Sequence, residues 1–371
     1  MATTKKITMK QFNGTDYDTL YPKTVAAQID DVYSKDETYP KSQLYTQSQL
    51  YTRQQILSDA TKTLYGLGTS AVPDDAFQKL GGLRAVIHVF ANAGASVSMT
   101  KGGKTFTATA DSNGSAYLYP SEFGVWTVTA GSIRKTINID ANAVFYLAMS
   151  DLGSLSWSQV STISKMGFAS TQFHIGDEKT LTVNGVNYTA IIIGFDHDTP
   201  VDIVTYGRDK AGITFQLKNC LNTTYKMNDD PNIGNKGGWK NCSMRTSTMV
   251  TLLSQLASDL KNAIVKVKKP NYSNNLSNAV EATEDSLFLL SEAEIFGPIH
   301  YPKAQGQEGS QYEYYQYGNS RVKTVNGSAS NWWERSPYSS GGEGFCCVTS
   351  NGGDDYANIH NLFGVAFGFC I

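Results

Sequence analysis

The amino-acid sequence predicts a β-rich protein of several domains, and three observations support this prediction. At 371 residues the chain is too long for one compact core, so about two to four domains are expected. Only 17% of the residues are charged, whereas the chain has 21 tyrosines and 33 glycines, which favours strands and loops over helical bundles. The pattern also changes along the chain, from a six-residue repeat to short alternating segments and then to a mixed α+β region.

Charge and apolar patterning exclude several classes of function. With 31 basic and 33 acidic residues, the chain lacks the positive excess of a general nucleic-acid-binding protein. The first residues, MATTKKITMKQF, contain no apolar signal core, and no apolar run reaches membrane-spanning length. We therefore expect a soluble chain made in the cytoplasm, with neither nucleic acid nor membrane insertion.

The cysteines indicate structural thiols. They form no C-x-x-C pair, so we expect neither zinc nor another cofactor. In a reducing compartment we predict buried free thiols at Cys220, Cys242, Cys346, Cys347 and Cys370.

Residues 33–56 form the clearest repeat, YSKDET, YPKSQL, YTQSQL and YTRQQI, with one tyrosine every six residues. This period fits neither a coiled coil nor a continuous helix. Spacings such as Ser34 to Glu37 match the capping box, so each unit can begin one helical turn. Single turns cannot bury their own tyrosines, so we predict an oligomeric stalk over residues 31–83, with a flexible linker as the alternative.

Residues 84–150 alternate between apolar and polar positions. Seven segments predict strands, and turn signals at Gly102-Gly103, Gly114 and Gly131 separate them. So many short strands in this span predict a small Ig-like β-sandwich, which resembles the spacer modules of surface proteins. His88 lies on one of the strands, where we expect a packed or surface residue and not a ligand.

Residues 151–371 predict one larger α+β domain. Asn184-Gly185 between two apolar segments predicts a tight hairpin. The segment from Thr246 to Pro270 predicts a single amphipathic helix that ends in lysines, because one face carries Met249, Leu253, Leu256, Leu260 and Ile264. The later segment LFLLSEAEIFG is apolar enough to be a core element.

Five segments of this last region, KNCLNTTY, MRTSTM, LFLLSEAEIFG, WWERSP and GVAFGFCI, resemble the C-type-lectin-like domains of phage tails and of retroelement-diversified binding proteins. In that family a W-x-R-S-P motif opens the ligand-binding segment, and the final run closes the chain as a buried strand. The segment TDYDTLYPKTVAAQID similarly resembles the tail-docking N-termini of phage tail fibres. The resemblance implies tail docking by residues 1–30, a homotrimeric stalk and a C-type-lectin-like receptor-binding domain over residues 151–371.

Between Tyr338 and Phe363 the chain is rich in small, polar and aromatic residues, the composition of an adaptable recognition surface. We predict ligand contacts at Tyr338, Ser339, Ser340, Glu343, Cys347, Thr349, Asn351, Asp354, Asp355, Tyr356, Asn358, His360, Asn361 and Phe363. A rigid structural frame is predicted at Trp332, Trp333, Arg335, Phe367 and Phe369. Apart from Glu343, every residue type in the segment can arise from an Asn codon by changing its adenines, which is how the resembled family varies its binding loops. The alternative is an ordinary loop composition.

The sequence gives weaker support for a catalytic site or a metal site. Asp196-His197-Asp198 carries acid–base residue types but follows a strand as a turn would. Cys346-Cys347 has no basic neighbour in sequence to lower a thiol pKa, and Glu334-Arg335 is predicted to be an internal ion pair or a strand-end anchor and not a catalytic pair. The oxygen-bearing residues after Asn351 lack the ordered spacing of a calcium loop, so we expect no metal and no catalytic residue.

The resemblance therefore implies a phage or prophage tail fibre, part of the virion, whose tip binds a glycan or protein receptor on the host cell. Its N-terminus would contact the phage tail proteins. Two alternatives stay open: a bacterial surface or secreted lectin-like adhesin with no virion role, and an enzyme of the formylglycine-generating type.

Overall fold

The computed structural model describes residues 9–12, 17–20, 85–230, 232, 234–274, 279–297, 308–338 and 342–371. The chain divides into two compact units, Met1–Phe77 and Gln78–Ile371. It is β-rich, as predicted, and the described strands form seven small sheets. No helix within the described ranges is long and apolar enough to cross a membrane.

In the first unit, β1 (Met9–Phe12) pairs antiparallel with β2 (Tyr17–Leu20). The six-residue repeat and the rest of residues 31–83 lie outside the described residues. The stalk, and the docking role of residues 1–30, therefore stay predictions.

Seven strands follow in the second unit, as the alternating pattern predicted: β3 (Val86–Phe90), β4 (Ser96–Lys101), β5 (Lys104–Thr109), β6 (Ser115–Leu118), β7 (Gly124–Ala130), β8 (Ile133–Ile139) and β9 (Val144–Ala148). They form two sheets, in the orders β6-β3-β9 and β5-β4-β7-β8. The inward side chains share one core around the fully buried Trp126. The predicted turn glycines Gly102, Gly103, Gly114 and Gly131 all have positive φ, which glycine adopts without strain.

His88 on β3 is packed. Its ring stacks on Tyr117 with 4.5 Å between the centroids, and its Nε2 lies 3.0 Å from Ser115 Oγ. Burial lowers the pKa of His88 to about 4, so the ring is neutral at neutral pH.

The seven-stranded region packs directly against the residues that follow it. The Gln172 side-chain oxygen accepts from Ala148 N at 3.0 Å, and Gln159 Nε2 donates to Asn113 O at 2.8 Å. Tyr146 on β9 belongs to the core of the larger region, not to the core around Trp126. The core of the larger region therefore includes residues on both sides of residue 150, and the domain boundary there stays a prediction.

The larger region begins with α1 (Trp157–Lys165) and α2 (Ala169–Gln172). Ser156 and Gln159 form a capping box at the start of α1, which satisfies two of its first backbone donors. Next come β10 (Glu178–Val183) and β11 (Val186–Phe195), the hairpin that Asn184-Gly185 predicted, with both turn residues at positive φ. Three short elements follow: β12 (Thr199–Pro200), α3 (Ile203–Tyr206) and β13 (Ile213–Leu217).

The prediction of one long helix after Thr246 is wrong. The chain instead forms a π-type turn at Met244–Thr248, then α4 (Met249–Gln255) and α5 (Ser258–Ala263). Between the two helices Leu256 is extended and bridges to Val183 at the end of β10. Its burial comes from this sheet contact, so helical spacing alone gave the wrong element. Lys269 and Pro270 belong to the next strand and not to a helix end.

The remaining elements are β14 (Val267–Tyr272), β15 (Val280–Asp285), α6 (Glu292–Phe296), α7 (Glu313–Gln316), β16 (Lys323–Val325), β17 (Ser328–Ser330), β18 (Trp332–Pro337), β19 (Gly344–Val348), β20 (Asp354–Asn358) and β21 (Gly368–Cys370). The sheets have the orders β10-β11-β13-β21, β12-β14-β15, β16-β17 and β18-β19-β20. The predicted closing strand is β21, which is buried and pairs antiparallel with β13. The predicted core segment is buried at Leu287–Leu290, directly before α6.

Candidate binding surface

The segment predicted to bind a ligand spans the three-stranded sheet β18-β19-β20 and its turns. Every residue of β18 and β19 is buried, whereas β20 has only half-buried and exposed residues. The exposed residues of this segment, together with the half-buried Tyr338, form what we call the candidate surface: Tyr338, Gly342, Glu343, Ser350, Asn351, Asp355, Tyr356, Asn358, His360, Asn361 and Leu362.

The structural frame lies beneath this surface. Trp332, Trp333, Arg335, Phe367 and Phe369 are all fully buried. Trp333 also fixes the chain after β20, because its Nε1 donates to Tyr225 O at 2.8 Å and its ring packs 4.7 Å from that of Phe363. Phe363 is half-buried in this contact and so belongs partly to the support.

The prediction of Cys347 as a ligand contact is wrong. The thiol is buried because β19 is the middle strand of its sheet and both of its faces are covered. Ser339 and Ser340 lie outside the described residues, so their predicted contacts are neither placed nor corrected.

Two tyrosines form the most ordered feature of the candidate surface. The rings of Tyr338 and Tyr356 stack with 3.7 Å between centroids and 7° between planes. Tyr356 nevertheless keeps 43% of its surface exposed. A hydrogen bond with Tyr338 raises the pKa of Tyr356, so the Tyr356 phenol is neutral at physiological pH. Stacking limits ring rotation, which gives an exposed aromatic platform of low conformational entropy.

Gly344 is what allows the two rings to lie so close to the sheet. A Cβ at this position would meet Tyr338 Cβ at 3.1 Å and Tyr356 Cδ2 at 3.5 Å. A larger residue would therefore push the rings away from β19.

A pair of buried asparagines holds the backbone under these tyrosines. Asn235 Nδ2 donates to Tyr338 O at 2.8 Å and to Gly344 O at 2.9 Å. Asn274 Nδ2 in turn donates to Asn235 Oδ1 at 3.0 Å. Sequence reasoning missed both residues, and only Asn235 had a signal, the glycine-rich segment GNKGG from Gly234 to Gly238. Gly234 has positive φ, and a Cβ there would meet Gly342 O at 2.0 Å, so the loop lies directly against the backbone that leads to the surface.

The turn between β19 and β20 is held by its own side chains. Thr349 Oγ1 accepts from Gly353 N at 2.9 Å, and its hydroxyl lies against Asn351 Oδ1. Thr349 and the Asn351 oxygen are therefore used for the turn. Asp354, at its end, is half-buried.

The residues that follow the turn are oriented outward. Asn358 Nδ2 donates to Glu343 Oε2 at 3.0 Å, which ties β20 to the loop before β19. Asn358 Oδ1 accepts from His360 N at 3.0 Å, which fixes the chain where the exposed His360 side chain leaves it. Leu362 was not predicted as a contact, yet it is 60% exposed beside these polar residues.

Buried charges reinforce the frame. Arg335 binds Glu294 through both guanidinium nitrogens, with Nη2 at 2.9 Å from Oε1. Lys269 lies 2.7 Å from Glu294 and 2.6 Å from Asp198. Burial alone would raise both carboxyl pKa values, but Arg335 and Lys269 hold the pKa of Glu294 below its usual range, and Lys269 does the same for Asp198. Asp198 thus forms a buried ion pair with Lys269.

Glu334 does not pair with Arg335, so of the two predicted roles for these residues the internal ion pair between them is wrong. Adjacent strand residues point to opposite faces, and Glu334 is buried away from the network. Neither of its carboxyl oxygens has a hydrogen-bond partner among the described residues. Burial, together with the nearby carboxyls of Glu292, Asp354 and Glu308, raises the pKa of Glu334 well above its usual range.

The thiols are buried and free, as predicted. Burial raises the pKa of Cys346 and Cys347, and the Glu334 carboxyl raises both further, so neither is a thiolate at neutral pH. Within the described ranges, no group of three or more His, Cys, Asp or Glu side chains is arranged to hold a metal ion.

Comparison with known families gives one match. Residues 212–371 are similar to a family described as a domain of unknown function, DUF6273. Comparisons with curated proteins and with solved structures give no match. The matched range begins just before β13, so the candidate surface, its frame and both supporting asparagines all lie inside it.

Proposed function

We propose that this protein is a phage or prophage tail fibre that recognises a receptor on the host cell surface through the candidate surface. The observation that carries the proposal is the contrast within one sheet, where an exposed tyrosine platform with polar neighbours stands on two fully buried strands. Rigid aromatic contact area combined with adaptable hydrogen-bonding groups is the chemistry of a recognition surface.

The proposal assigns a role to each region. The strands β18 to β21 are the tip of a C-type-lectin-like domain over residues 151–371, and the motif Trp333 to Pro337 opens its ligand-binding segment. The strands β3 to β9 are an Ig-like spacer between the tip and the stalk. Residues 1–30 dock on the tail, so the protein is part of the virion.

Binding without catalysis is the activity that the chemistry of the tip supports. The thiols under the surface are neutral and buried, and the Asp198 carboxylate is held in an ion pair. The exposed groups there are phenol, imidazole, amide and carboxylate side chains, which suit the hydroxyls of a glycan or a polar protein epitope.

Weak contacts at one tip become effective if three tips share one stalk. Once the first tip is bound, later contacts are intramolecular, and avidity exceeds single-site affinity by about 10² to 10⁴. We therefore propose a homotrimer, for which light scattering on the full chain should give three times the monomer mass.

The proposal is tested by binding of the labelled full chain to a panel of bacterial strains, measured by flow cytometry. A strain that binds the parent protein should bind the double variant Tyr356→Ala, His360→Ala at least about tenfold more weakly, because the platform and its neighbour are lost. The matched control is Phe123→Ala, which removes an aromatic ring of similar exposure, 48%, from the seven-stranded region. Equal binding by the double variant and the control would place the receptor site elsewhere.

Diversification of the surface is a separate part of the proposal. It requires a reverse transcriptase gene and a near-identical template copy of the segment beside the gene. Their absence from the flanking DNA would leave a fixed receptor-binding tip.

A further inference from the structure

A groove opens beside the hairpin of β10 and β11, separate from the candidate surface. Its walls come from three segments: the start of β11, the chain after β13, and the Asn326-Gly327 turn between β16 and β17. The cavity has a volume of about 420 Å³, enough for a small ligand. We call it the amide groove, because asparagine side chains line all three walls: Asn187, Asn219, Asn222 and Asn326.

Hydrogen bonds across the walls fix the shape of the groove. Lys218 N donates to Thr189 O at 2.8 Å, and Cys220 N donates to Thr324 O at 3.0 Å. The turn is tied to the opposite wall because Asn326 Nδ2 donates to Asn222 O at 2.9 Å. A groove held in this way needs little reorganisation to accept a ligand.

A buried lysine stabilises the base of the amide groove. Lys323 is buried and donates through Nζ to Leu217 O at 2.7 Å and to Lys218 O at 3.1 Å. These contacts hold β16 against the chain after β13. Burial lowers the pKa of Lys323 to about 8, and at neutral pH its charge is directed into the protein.

The lining is polar but carries no unbalanced charge. Lys218 pairs with Glu178, and burial raises the pKa of the Cys220 thiol, which is therefore neutral. Each amide can donate two and accept two hydrogen bonds. Among the described residues, the Asn187 and Asn219 side chains make one hydrogen bond each and the Asn222 side chain makes none. Most of this capacity therefore faces the groove or solvent.

An aromatic ring completes the site. Tyr188 is half-buried in one wall, where its hydroxyl accepts from Asn222 N at 3.4 Å. Amides that both donate and accept, next to an aromatic ring and without net charge, match the alternating hydroxyl groups and apolar ring faces of a sugar. A phosphate or carboxylate would find no unpaired cation in the lining.

We propose that the amide groove binds a neutral oligosaccharide. This site is separate from the receptor-binding surface and does not depend on that function. Binding at a single groove of this size is expected to be weak, with a Kd of about 1 mM.

The test is ligand-observed NMR saturation transfer on the full chain. The probes are neutral oligosaccharides of glucose, mannose, galactose and N-acetylglucosamine, with oligogalacturonate as the acidic counterpart. At least one neutral probe should bind at concentrations up to about 10 mM, and oligogalacturonate should bind more weakly. Failure of every neutral probe, or preference for the acidic one, would overturn the proposal.

Two variants test whether the saccharide binds in the amide groove. Asn222→Ala should weaken saccharide binding about fivefold, because it removes a side-chain amide that is available to the ligand. The wall should stay in place, because the hydrogen bonds that hold it use the backbone of Asn222 and not its side chain. Tyr188→Ala should weaken saccharide binding about tenfold through loss of the ring. Thr223→Ala, an exposed neighbour outside the lining, is the matched control, and Tyr356→Ala keeps full affinity if the two sites are separate. Unchanged Kd values for both groove variants at unchanged Tm would rule the groove out.

A competition experiment distinguishes a cell-surface glycan from a free saccharide as the natural ligand. If the bound oligosaccharide reduces attachment of the full chain to cells, the groove recognises a cell-surface glycan. If it leaves attachment unchanged, the groove takes a free saccharide.

Discussion

Two neighbouring strands of one sheet differ completely in their surroundings. All side chains of β19 are buried, whereas the next strand, β20, carries exposed Asp355, Tyr356 and Asn358. The two strands share a continuous antiparallel register from Gly344 opposite Asn358 to Val348 opposite Asp354. Backbone pairing therefore holds β20 in place while its side chains bury little area. Residues of the candidate surface on β20 can therefore be replaced with little loss of packing.

The largest expected effect tests the buried side of this comparison. Arg335→Ala leaves Glu294 without its two-nitrogen partner inside the protein and should lower the free energy of unfolding by about 3 to 5 kcal/mol. Urea unfolding measures the change. Arg134→Ala, at an exposed position of β8, is the control and should cost less than about 0.5 kcal/mol. Similar losses in the two variants would contradict the distinction between frame and surface.

The next largest effect tests the connection between the buried frame and the candidate surface. Asn235→Ala removes the amide that binds Tyr338 O and Gly344 O, and should cost about 1 to 3 kcal/mol in unfolding free energy. It should also weaken cell binding, because the tyrosine platform loses its support. Asn232→Ala, an exposed position of the same loop, should change neither quantity. If Asn235→Ala alters stability but leaves cell binding intact, the asparagine pair does not position the surface.

The smallest effect concerns pH. The pKa of Glu334 is raised in the folded protein, so the folded state binds more protons than the unfolded state above about pH 4.5. Stability is therefore lost as pH rises toward the folded pKa, by at most about 1.4 kcal/mol per pH unit for this carboxyl. Glu334→Gln should reduce the decline, so that its gain in unfolding free energy over the parent protein is larger near pH 8 than near pH 5.

Thermal unfolding between about pH 5 and pH 8 measures the decline. Glu284→Gln, at an exposed position of β15, is the control and should keep the slope of the parent protein. An identical slope for Glu334→Gln would mean that the Glu334 carboxyl is solvated or paired. On the acid side the signs reverse, because the pKa values of Asp198 and Glu294 are lowered and their stabilisation is lost as pH falls.

Local patterns predicted the elements that depend on local chemistry. Asn184-Gly185 gave its hairpin because an Asn-Gly turn needs no distant partner, and alternation gave the seven strands β3 to β9. The helix after Thr246 was predicted wrongly because Leu256 is buried by a bridge to Val183, more than one element away. A periodic apolar pattern does not show which surface will cover it.

Local sequence patterns were also insufficient to predict parts of the candidate surface. Cys347 was predicted to contact a ligand because it lies in the polar and aromatic segment between Tyr338 and Phe363, but both faces of β19 are covered. The support of the surface was missed because Asn235 finds its partner Tyr338 103 residues further along the chain. Contacts of that range depend on how the whole domain closes, and the glycine-rich segment around Asn235 does not show which backbone it will contact.

The position of β20 as the last strand of its sheet imposes a further demand on the candidate surface. The outer strand of a sheet offers a template on which strands of other molecules can add, so long apolar edges lead to aggregation. Asp354 and Asp355 lie on this edge, and charge there discourages such pairing. A replacement on β20 that gains affinity by adding apolar area would also favour association between copies. Solubility therefore limits which residues this strand can carry, independently of what it binds.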